Sequence, residues 1–386
     1  MSFEALQSTP GVRHVELSDD GDYVLPDGQD ALLVFWWRDR PVAHRWRGDT
    51  PPPRSGRLEW SVLTPVQAEE RAAPTARLDA SVVVCTRDRP DALQRCLASL
   101  PQQSWPAREI IVVDNASRDS RTREVAEAAG VTYLREDRPG LDIARNTGAR
   151  HATSTIVAYT DDDVLLHPRW LERLVAAFDA APVAAVTGLV LPAELASDAQ
   201  CHFEKYWSFG RGYLRRDVDA AAFAAAQRKG VFPAWEIGAG ASMAFRRDVF
   251  ERVGWFDERL DVGQAGCSGD SEFWYRVLVH GLTCRYEPRA VALHFHRRTI
   301  DGLAHQIHQY MRGHAAALLV QHERTGLPVN RYQAWVRMPC WYASRLWLRL
   351  RRGPSPADRF LREEVLGYLA GLWFYLRHRR EGDGAR

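Results

Sequence analysis

The fold is decided by the stretch Thr155-Ile156-Val157-Ala158-Tyr159-Thr160-Asp161-Asp162-Asp163. Its first five residues are mostly apolar or β-branched and predict a buried strand, which delivers three consecutive carboxylates at its carboxyl end. Adjacent aspartates repel one another, so this placement favours a bound divalent cation that carries phosphates. The alternative is an acidic turn that also caps the helix predicted to begin near Pro168.

Short apolar runs alternate with helical segments on the amino-terminal side of this stretch. The predicted strands are 81–85, 110–113 and 131–134, and the predicted helices are 90–100, 120–129 and 141–152. This βαβ order predicts an α/β domain with a mostly parallel sheet flanked by helices. Ligands of such sheets bind beyond the carboxyl ends of the strands, so the residues that follow each strand are the candidates for a site.

Polar residues near these strand ends suit a nucleotide. Asp114 follows the strand at 110–113, where its carboxylate can accept a hydrogen bond from a base-edge N–H such as N3–H of uracil. It can equally cap the next helix. Arg145 and Asn146 lie near the start of the helix at 141–152, where the helix dipole and the guanidinium fork suit phosphate or ribose. A surface arginine is the alternative.

Four short motifs occur in order around these residues. They are Val82-Val83-Val84-Cys85-Thr86-Arg87-Asp88-Arg89-Pro90, Ile111-Val112-Val113-Asp114-Asn115-Ala116-Ser117, Ala144-Arg145-Asn146-Thr147-Gly148 and Thr160-Asp161-Asp162-Asp163. Their order and spacing closely resemble those of the family 2 glycosyltransferases, which have the GT-A fold. The resemblance runs from about residue 80 to residue 298. It implies an inverting glycosyltransferase whose expected donor is a UDP-sugar.

The resemblance also implies a nucleotide-sugar site with a divalent metal, Mn²⁺ or Mg²⁺. The residues expected to bind the donor are Thr86, Arg89, Asp114, Arg145, Asn146, Asp161 and Asp162. The expected metal ligands are Asp163, Asp161 and His294. His294 and His296 alternate along the run 291–296, which predicts a strand with both rings on one face. The pair can bind the metal or the departing diphosphate, or be structural, and the resemblance favours His294.

The family has a Glu-Asp pair at the start of a later helix, and its aspartate is the catalytic base. Here the corresponding run is Gly266-Cys267-Ser268-Gly269-Asp270-Ser271-Glu272, in which Gly269 replaces the glutamate and Asp270 falls on the base position. Asp270 is therefore the expected base, with Glu272 as the fallback on a different side of the helix. Both acids also suit a helix N-terminus, so capping is the alternative.

Composition narrows the class of protein. The 386 residues are 46% hydrophobic and 26% charged, with a net charge of +2, so a disordered chain and a whole-protein nucleic-acid binder are disfavoured. No glycine-rich dinucleotide or P-loop motif follows the first α/β strand. The six cysteines lie far apart, Met1 to Gly11 does not read as a signal peptide, and no apolar run is long enough to span a membrane. These features predict a cytoplasmic protein.

Three regions are predicted along the chain. They are a small β-rich N-terminal domain and linker at 1–78, the GT-A-like domain at 79–300 and a helical C-terminal region at 301–386. The segment from Asn330 to Arg386 carries twelve arginines against five acids, interleaved with four tryptophans. That pattern suits a peripheral contact with the inner face of a membrane, or helices that pack on the catalytic domain and leave their arginines in solvent.

The sequence therefore predicts a glycosyltransferase that moves a sugar to an acceptor hydroxyl, in glycan, glycolipid or polysaccharide synthesis. A nucleotidyltransferase acting on sugar phosphates is one alternative, since it also needs a metal and a nucleotide pocket but has no need of Asp270. A nonenzymatic, membrane-associated protein that binds nucleotide sugars is the other. The expected partners are the nucleotide-sugar donor and an unidentified hydroxyl acceptor, and no nucleic acid.

Overall fold

The computed structural model describes residues 9–25, 30–47, 53–71, 77–179 and 182–379. The strands are β1 (Val12–Leu17), β2 (Asp22–Val24), β3 (Leu32–Trp37), β4 (Arg40–Trp46), β5 (Ser55–Arg57), β6 (Ala80–Thr86), β7 (Glu109–Asn115), β8 (Thr132–Glu136), β9 (Ile156–Asp161), β10 (Val164–Leu166), β11 (Val183–Pro192), β12 (Arg216–Val218), β13 (Ser242–Arg246) and β14 (Thr283–His294). The helices are α1 (Trp60–Arg71), α2 (Pro90–Ser99), α3 (Arg121–Ala128), α4 (Leu141–His151), α5 (Trp170–Ala176), α6 (Asp198–Tyr206), α7 (Ala220–Gln227), α8 (Val249–Val253), α9 (Gly269–Val279), α10 (Ile300–Thr325), α11 (Pro328–Tyr332), α12 (Met338–Arg352) and α13 (Leu361–His378).

A nine-stranded sheet forms the centre of the molecule, in the order β10-β14-β11-β13-β9-β6-β7-β8, with β12 paired to β14. Strands β9, β6, β7 and β8 are parallel, as the alternation of strands and helices predicted. Cys85 is paired with Asp161, and Thr86 with Asp114. The parallel register therefore brings the residues that end three strands to one edge of the sheet.

Helices cover both faces of this sheet, and the side chains of β6 show why. Val82 and Val84 point into one hydrophobic cluster, which contains Leu93 of α2. Val83 points into a second cluster on the opposite face, which contains Ala144 of α4. Because all of these strand residues are buried, the run is continuously apolar rather than alternating, as expected for a central strand of a parallel sheet.

The acidic stretch forms the turn between β9 and β10. β9 extends two residues beyond the predicted strand and ends at Asp161, and the predicted helix near Pro168 begins at Trp170. β10, which was not predicted, pairs antiparallel with β14 and places Val164 opposite His294. This short strand therefore fixes the acidic turn beside a histidine that is far away in the sequence.

The N-terminal region contains a three-stranded sheet, β1-β3-β4, and a two-stranded sheet, β2-β5. It also contains α1, which the sequence analysis did not predict; residues 72–76, which follow it, lie outside the described part of the chain. Val34 and Trp36 of β3 share a hydrophobic cluster with Leu191 of β11 and Leu293 of β14. The N-terminal strands therefore pack directly on the main sheet.

The C-terminal region is helical, as predicted, and α13 packs closely on α10. Gly367 and Gly371 of α13 face the carbonyl groups of His308 and Arg312, and a Cβ on either glycine would overlap those oxygens. The two helices approach closely because these positions carry no side chain. Among the helices that the structure describes, none has both the length and the apolarity needed to cross a bilayer.

The contact between α13 and α10 gives a test of the fold. Gly371→Val is expected to lower the free energy of unfolding by about 1–3 kcal/mol, because the added side chain must displace the backbone of α10. Chemical denaturation measures the change. Leu369→Val is the matched control, since it introduces the same β-branched residue at an exposed position of the same helix. Equal effects of the two substitutions would show that helix propensity, and not close packing, sets the loss.

Candidate functional site

A cavity of about 1520 Å³ opens at the carboxyl edge of the parallel strands. One wall is formed by strand ends and includes Thr86, Arg89 and the three aspartates of the acidic turn. The facing wall is formed by the loop that contains Gly240, by the start of α9 and by the C-terminal helices. The predicted nucleotide side and the predicted base, Asp270, therefore line one continuous space.

Two carboxylates and one imidazole converge on this cavity. Asp161, Asp163 and His294 can each offer one ligand atom so that these atoms all lie within 4.8 Å of one another. His294 Nε2 lies 3.3 Å from Asp163 Oδ1. The backbone N–H of Phe295 donates to the Asp163 carbonyl at 3.0 Å, which holds the turn against β14. The three predicted metal ligands are thus adjacent, and their carboxylate and imidazole donors suit a divalent cation.

Asp162, the middle aspartate, points away from this group. Its Oδ2 accepts a hydrogen bond from Thr86 Oγ1 at 2.7 Å, and its Oδ1 lies 3.1 Å from Arg89 Nη1. The same Arg89 nitrogen lies 3.0 Å from Asp163 Oδ2. Thr86 and Arg89 therefore hold the acidic turn in place, and Arg89 also lines the cavity.

The charges of the acidic turn are only partly compensated by the protein. Burial, together with the charge of Asp163, raises the pKa of Asp161 to about 6. Burial also opposes ionisation of Asp163, but His294 and Arg89 outweigh it and hold the pKa of Asp163 below its ordinary value. Because the charge of Asp163 disfavours ionisation of Asp161, a divalent cation beside both carboxylates would stabilise their charged forms.

A chain of hydrogen-bonded side chains leads from the group Asp161, Asp163 and His294 to α6. His294 Nδ1 lies 3.0 Å from His296 Nδ1, and His296 Nε2 lies 3.1 Å from Glu204 Oε2. If His294 Nε2 is to offer a lone pair, its Nδ1–H must donate to His296 and the Nε2–H of His296 must donate to Glu204. Burial raises the pKa of Glu204 to about 8, so Glu204 and His296 select the tautomer of His294 that a metal ligand requires when Glu204 is ionised.

Asp270 lies in the first turn of α9 and is partly accessible from the cavity. Its Oδ2 accepts a hydrogen bond from the Gly240 backbone N–H at 2.8 Å, and its Oδ1 accepts from Ser271. Glu272, the fallback base, is fully buried and forms a two-point ion pair with Arg276. Of these two acids, only Asp270 faces the space where a substrate can bind.

Gly269 explains how this chain departs from the Glu-Asp pair of the family. A Cβ at Gly269 would overlap the carboxylate of Asp142, which enters from α4. Asp142 is fully buried, and its Oδ2 has no hydrogen-bond partner among the described residues. Burial and the neighbouring Asp261 raise the pKa of Asp142 well above its ordinary value. An acid from another helix thus occupies the space beside Asp270 that a side chain at position 269 would use.

Arg145 connects these acids. Its Nη1 lies 2.9 Å from Asp142 Oδ1 and 2.6 Å from Asp261 Oδ2, and all three side chains are buried. A Cβ added to Gly240 would lie 2.7 Å from Arg145 Nη2 and 2.9 Å from Asp270 Oδ2, so the guanidinium and the expected base lie close to one point. Arg145 lines the cavity, but its hydrogen bonds bind it to acids of the protein.

Two predicted donor-binding residues lie behind the cavity wall. Asp114 is fully buried, and its carboxylate accepts hydrogen bonds from Ser117 N–H, Tyr133 Oη and Arg135 Nη1 at 2.8–3.0 Å. Asn146 is also fully buried, and its amide makes two hydrogen bonds with the backbone of Phe256 at 3.0 Å. Asn146 therefore positions the loop that leads to Asp261 rather than contacting the cavity.

The sequence analysis missed Asp142, Asp261 and Glu204. Asp142 lies two residues before the motif that begins at Ala144, and the signal that could have identified it was the missing glutamate at position 269, because the space of that side chain must be filled by another residue. Asp261 and Glu204 carry no local signal, because their partners lie more than ninety residues away along the chain. Only the tertiary fold brings these acids to the site.

The overlap between Gly269 and Asp142 gives a second test. Gly269→Ala is expected to lower the free energy of unfolding by about 1–3 kcal/mol in the native background, because the new Cβ meets the Asp142 carboxylate. In the Asp142→Ala background the same substitution should have little effect, and this double-mutant cycle measures the coupling. Asp119→Ala, at an exposed loop position, is the control background. If Gly269→Ala lowers the free energy of unfolding equally in all three backgrounds, the overlap with Asp142 is not the cause of the loss.

Known proteins resemble this chain in sequence and in fold. Residues 81–254 match the family described as Glycosyl transferase family 2. Similar curated proteins include Glycosyltransferase AglE of Haloferax volcanii, 27% identical over 55% of this chain and 66% of that protein. The glucosyl-dolichyl phosphate glucuronosyltransferase of the same organism is 29% identical over 48% of this chain and 58% of that protein. The chain thus spans less than two thirds of these two relatives.

A third relative covers more of the chain. The pre-mycofactocin glycosyltransferase of Mycobacterium tuberculosis is 27% identical over 84% of this chain and 67% of that protein. Among solved structures, the mannosyltransferase PcManGT from Pyrobaculum calidifontis, in complex with GDP-Man and Mn²⁺, superposes with a TM-score of 0.54 at 19% identity. That match covers 81% of this chain and 94% of the other, and it supports the GT-A fold. Residues 81–254 of the chain therefore carry a glycosyl transferase family 2 domain.

Proposed function

We propose that this protein is an inverting, metal-dependent glycosyltransferase that moves a sugar from a nucleotide-diphosphate sugar to an acceptor hydroxyl. The observation that carries the proposal is the shared cavity, in which the group Asp161, Asp163 and His294 lines one wall and Asp270 lines the other. Two acidic sites with different tasks are what a single displacement needs, since one side must stabilise the leaving diphosphate and the other must accept a proton.

The donor diphosphate is assigned to the acidic turn. Asp163, Asp161 and His294 would hold Mn²⁺ or Mg²⁺, and a metal bound there would neutralise charge on the leaving diphosphate. Arg89 lies beside Asp163 and lines the cavity, so its guanidinium is available to the phosphates after a small rotation. Ionised Glu204 and His296 act as positioning residues, because together they favour the metal-ligand tautomer of His294 without entering the cavity.

The acceptor hydroxyl is assigned to the space in front of Asp270. The carboxylate takes the proton of the hydroxyl as its oxygen bonds to the anomeric carbon, while the bond from that carbon to the diphosphate oxygen breaks. One displacement on the face opposite the leaving group inverts the anomeric configuration. The Gly240 N–H, which donates to Asp270 Oδ2, orients the carboxylate for this transfer.

UDP is the proposed donor nucleotide, and its recognition is assigned to the region around Asp114. Because the Asp114 carboxylate already binds Tyr133 and Arg135, a base N–H must replace one of these donors or contact a neighbour. Asn115 lines the cavity next to it, and its amide is held by the backbone at Arg138 and Gly140. The glucosyl-dolichyl phosphate glucuronosyltransferase of Haloferax volcanii is the relative whose name supports a glycolipid acceptor.

Calorimetric titration with UDP, dTDP and GDP, each with Mn²⁺ and again with EDTA, tests the donor site. We expect one nucleotide, UDP, to bind in the presence of Mn²⁺ and to lose most of its affinity in EDTA. Asp163→Asn should have the same effect as EDTA, because it removes one metal-binding carboxylate. Asp119→Asn is the matched control at an exposed position. Absence of metal-dependent binding to any of the three nucleotides would contradict the proposal.

Asp270→Asn tests the base. The amide keeps the shape of the side chain but cannot accept the hydroxyl proton, so transfer should fall by about 10²–10⁴-fold. Nucleotide binding, measured by the same calorimetry, should stay within a factor of about two, since Asp270 lies on the acceptor side. Transfer at the native rate by a variant that still binds donor would exclude Asp270 as the base.

Glu204→Gln tests the positioning chain. The amide can donate a hydrogen bond to His296 Nε2, which favours the tautomer of His294 that points a proton at the metal position. Affinity for Mn²⁺ should therefore fall by about 10–100-fold, as found when groups that orient metal ligands are lost. Titration with Mn²⁺ alone measures the effect independently of activity. If this variant binds Mn²⁺ with native affinity, Glu204 does not position the metal ligand His294.

A further inference from the structure

Two consecutive helices of the C-terminal region expose apolar faces to solvent. On α12 and the turn before it, Val336, Ala343, Leu346 and Leu350 recur at intervals of seven, three and four residues and so share one face. Leu346 is 45% exposed and Leu350 is 86% exposed. Trp347, beside this face, is 53% exposed. A helix that packs only on the protein core buries its apolar face, whereas α12 exposes this one to solvent.

The second face lies on α13. Leu366, Leu369, Trp373 and Leu376 are spaced three, four and three residues apart, and each is more than 40% exposed. They lie on the side of the helix away from the glycines that pack on α10. The helix is therefore apolar on both sides, with one side buried in the protein and the other open.

Arginines accompany the exposed tryptophans. The guanidinium of Arg351 lies 4.5 Å from the Trp347 ring centroid, and that of Arg377 lies 4.7 Å from the Trp373 ring centroid. Between residues 338 and 379 the chain has eight arginines and three acids. Two of those acids, Asp358 and Glu364, are paired with Arg345. The surface thus combines large apolar side chains with uncompensated positive charge.

We propose that the exposed faces of α12 and α13 dock on the surface of an anionic lipid bilayer. Apolar side chains enter the boundary between headgroups and acyl chains, tryptophans lie at that boundary, and the arginines bind lipid phosphates. The charge decides between this occupant and a second copy of the chain, because two copies would bring positive surfaces together. Since none of the described helices can cross a bilayer, the helices lie on its surface.

One side of α12 contributes to the cavity. Met338 and Trp341 line the cavity wall, and Trp341 is 44% exposed. Trp341 precedes Leu350 by nine residues, so the two side chains lie on opposite sides of the helix. Docking through Leu346 and Leu350 therefore leaves the cavity-lining side of α12 free of the bilayer.

Cosedimentation of the full chain with vesicles tests the docking without any assay of transfer. The vesicles contain either phosphatidylcholine alone or phosphatidylcholine and phosphatidylglycerol in equal parts. We expect binding to the anionic vesicles that weakens at high salt, and little binding to the neutral ones. Trp347→Ser combined with Trp373→Ser should reduce this binding by at least about tenfold. Trp60→Ser, at a tryptophan 49% exposed on α1, is the matched control.

Circular dichroism and nucleotide titration of the same variants report whether they remain folded. Arg351→Gln combined with Arg377→Gln should lose preference for anionic vesicles while keeping its fold. Equal vesicle binding by the double tryptophan variant and the Trp60→Ser control would overturn the proposal. A dimer in sedimentation velocity that the double tryptophan variant abolishes, without vesicle binding by the native chain, would assign the faces to a second copy instead.

Discussion

Negative charge concentrated at the carboxyl edge of the sheet is the constraint on which the rest of the site depends. Asp161 ends β9 and is followed by Asp162 and Asp163, whereas Asp261 and Asp270 line the opposite side of the same cavity and Asp142 is buried beside them. Arg89 and Arg145 are the buried or half-buried cations that face these two groups. Each arginine serves more than one acid, so neither group is neutral when all its carboxylates are ionised. The acidic turn therefore suits a bound cation, whereas in the second group burial and the charge of Asp261 raise the pKa of Asp142 and so disfavour its ionisation.

Different elements of the fold hold the two acidic groups in place. The acidic turn is held by strand pairing, because β10 and β14 bring His294 to Asp163. Asp270 is held by a loop in which Asp261 and Ser268 adopt left-handed backbone conformations, with φ of 66° and 99°. Gly313 of α10 lies against Cys267 in this loop so closely that a Cβ would overlap it. The loop that holds Asp270 is thus supported by the C-terminal helices, and the group Asp161, Asp163 and His294 by the sheet.

The fold was predictable where local pattern and tertiary environment agree. The parallel strands β6 to β9 and their helices were predicted to within two residues at most ends, because continuous apolar runs and helical spacing are local signals. β10 and α1 were missed, since a three-residue strand exists only through its partner β14. The same distinction separates the site residues. The acidic turn and Asp270 lie in motifs that the sequence shows, whereas Glu204 reaches the site through His296, and the burial of Asp114 and Asn146 depends on side chains from other elements.

The residues at positions 269 and 142 restrict each other's replacement during evolution. A glutamate at 269 and an aspartate at 142 would occupy the same volume. Exchanging one acid for the other takes two replacements, and the intermediate sequence has either both side chains, which overlap, or neither, which leaves a cavity. Such a pair is expected to be inherited together. Lineages of this enzyme should then divide into two groups, one with the acid on α9 and one with the acid on α4, and sequences that combine both acids should be rare.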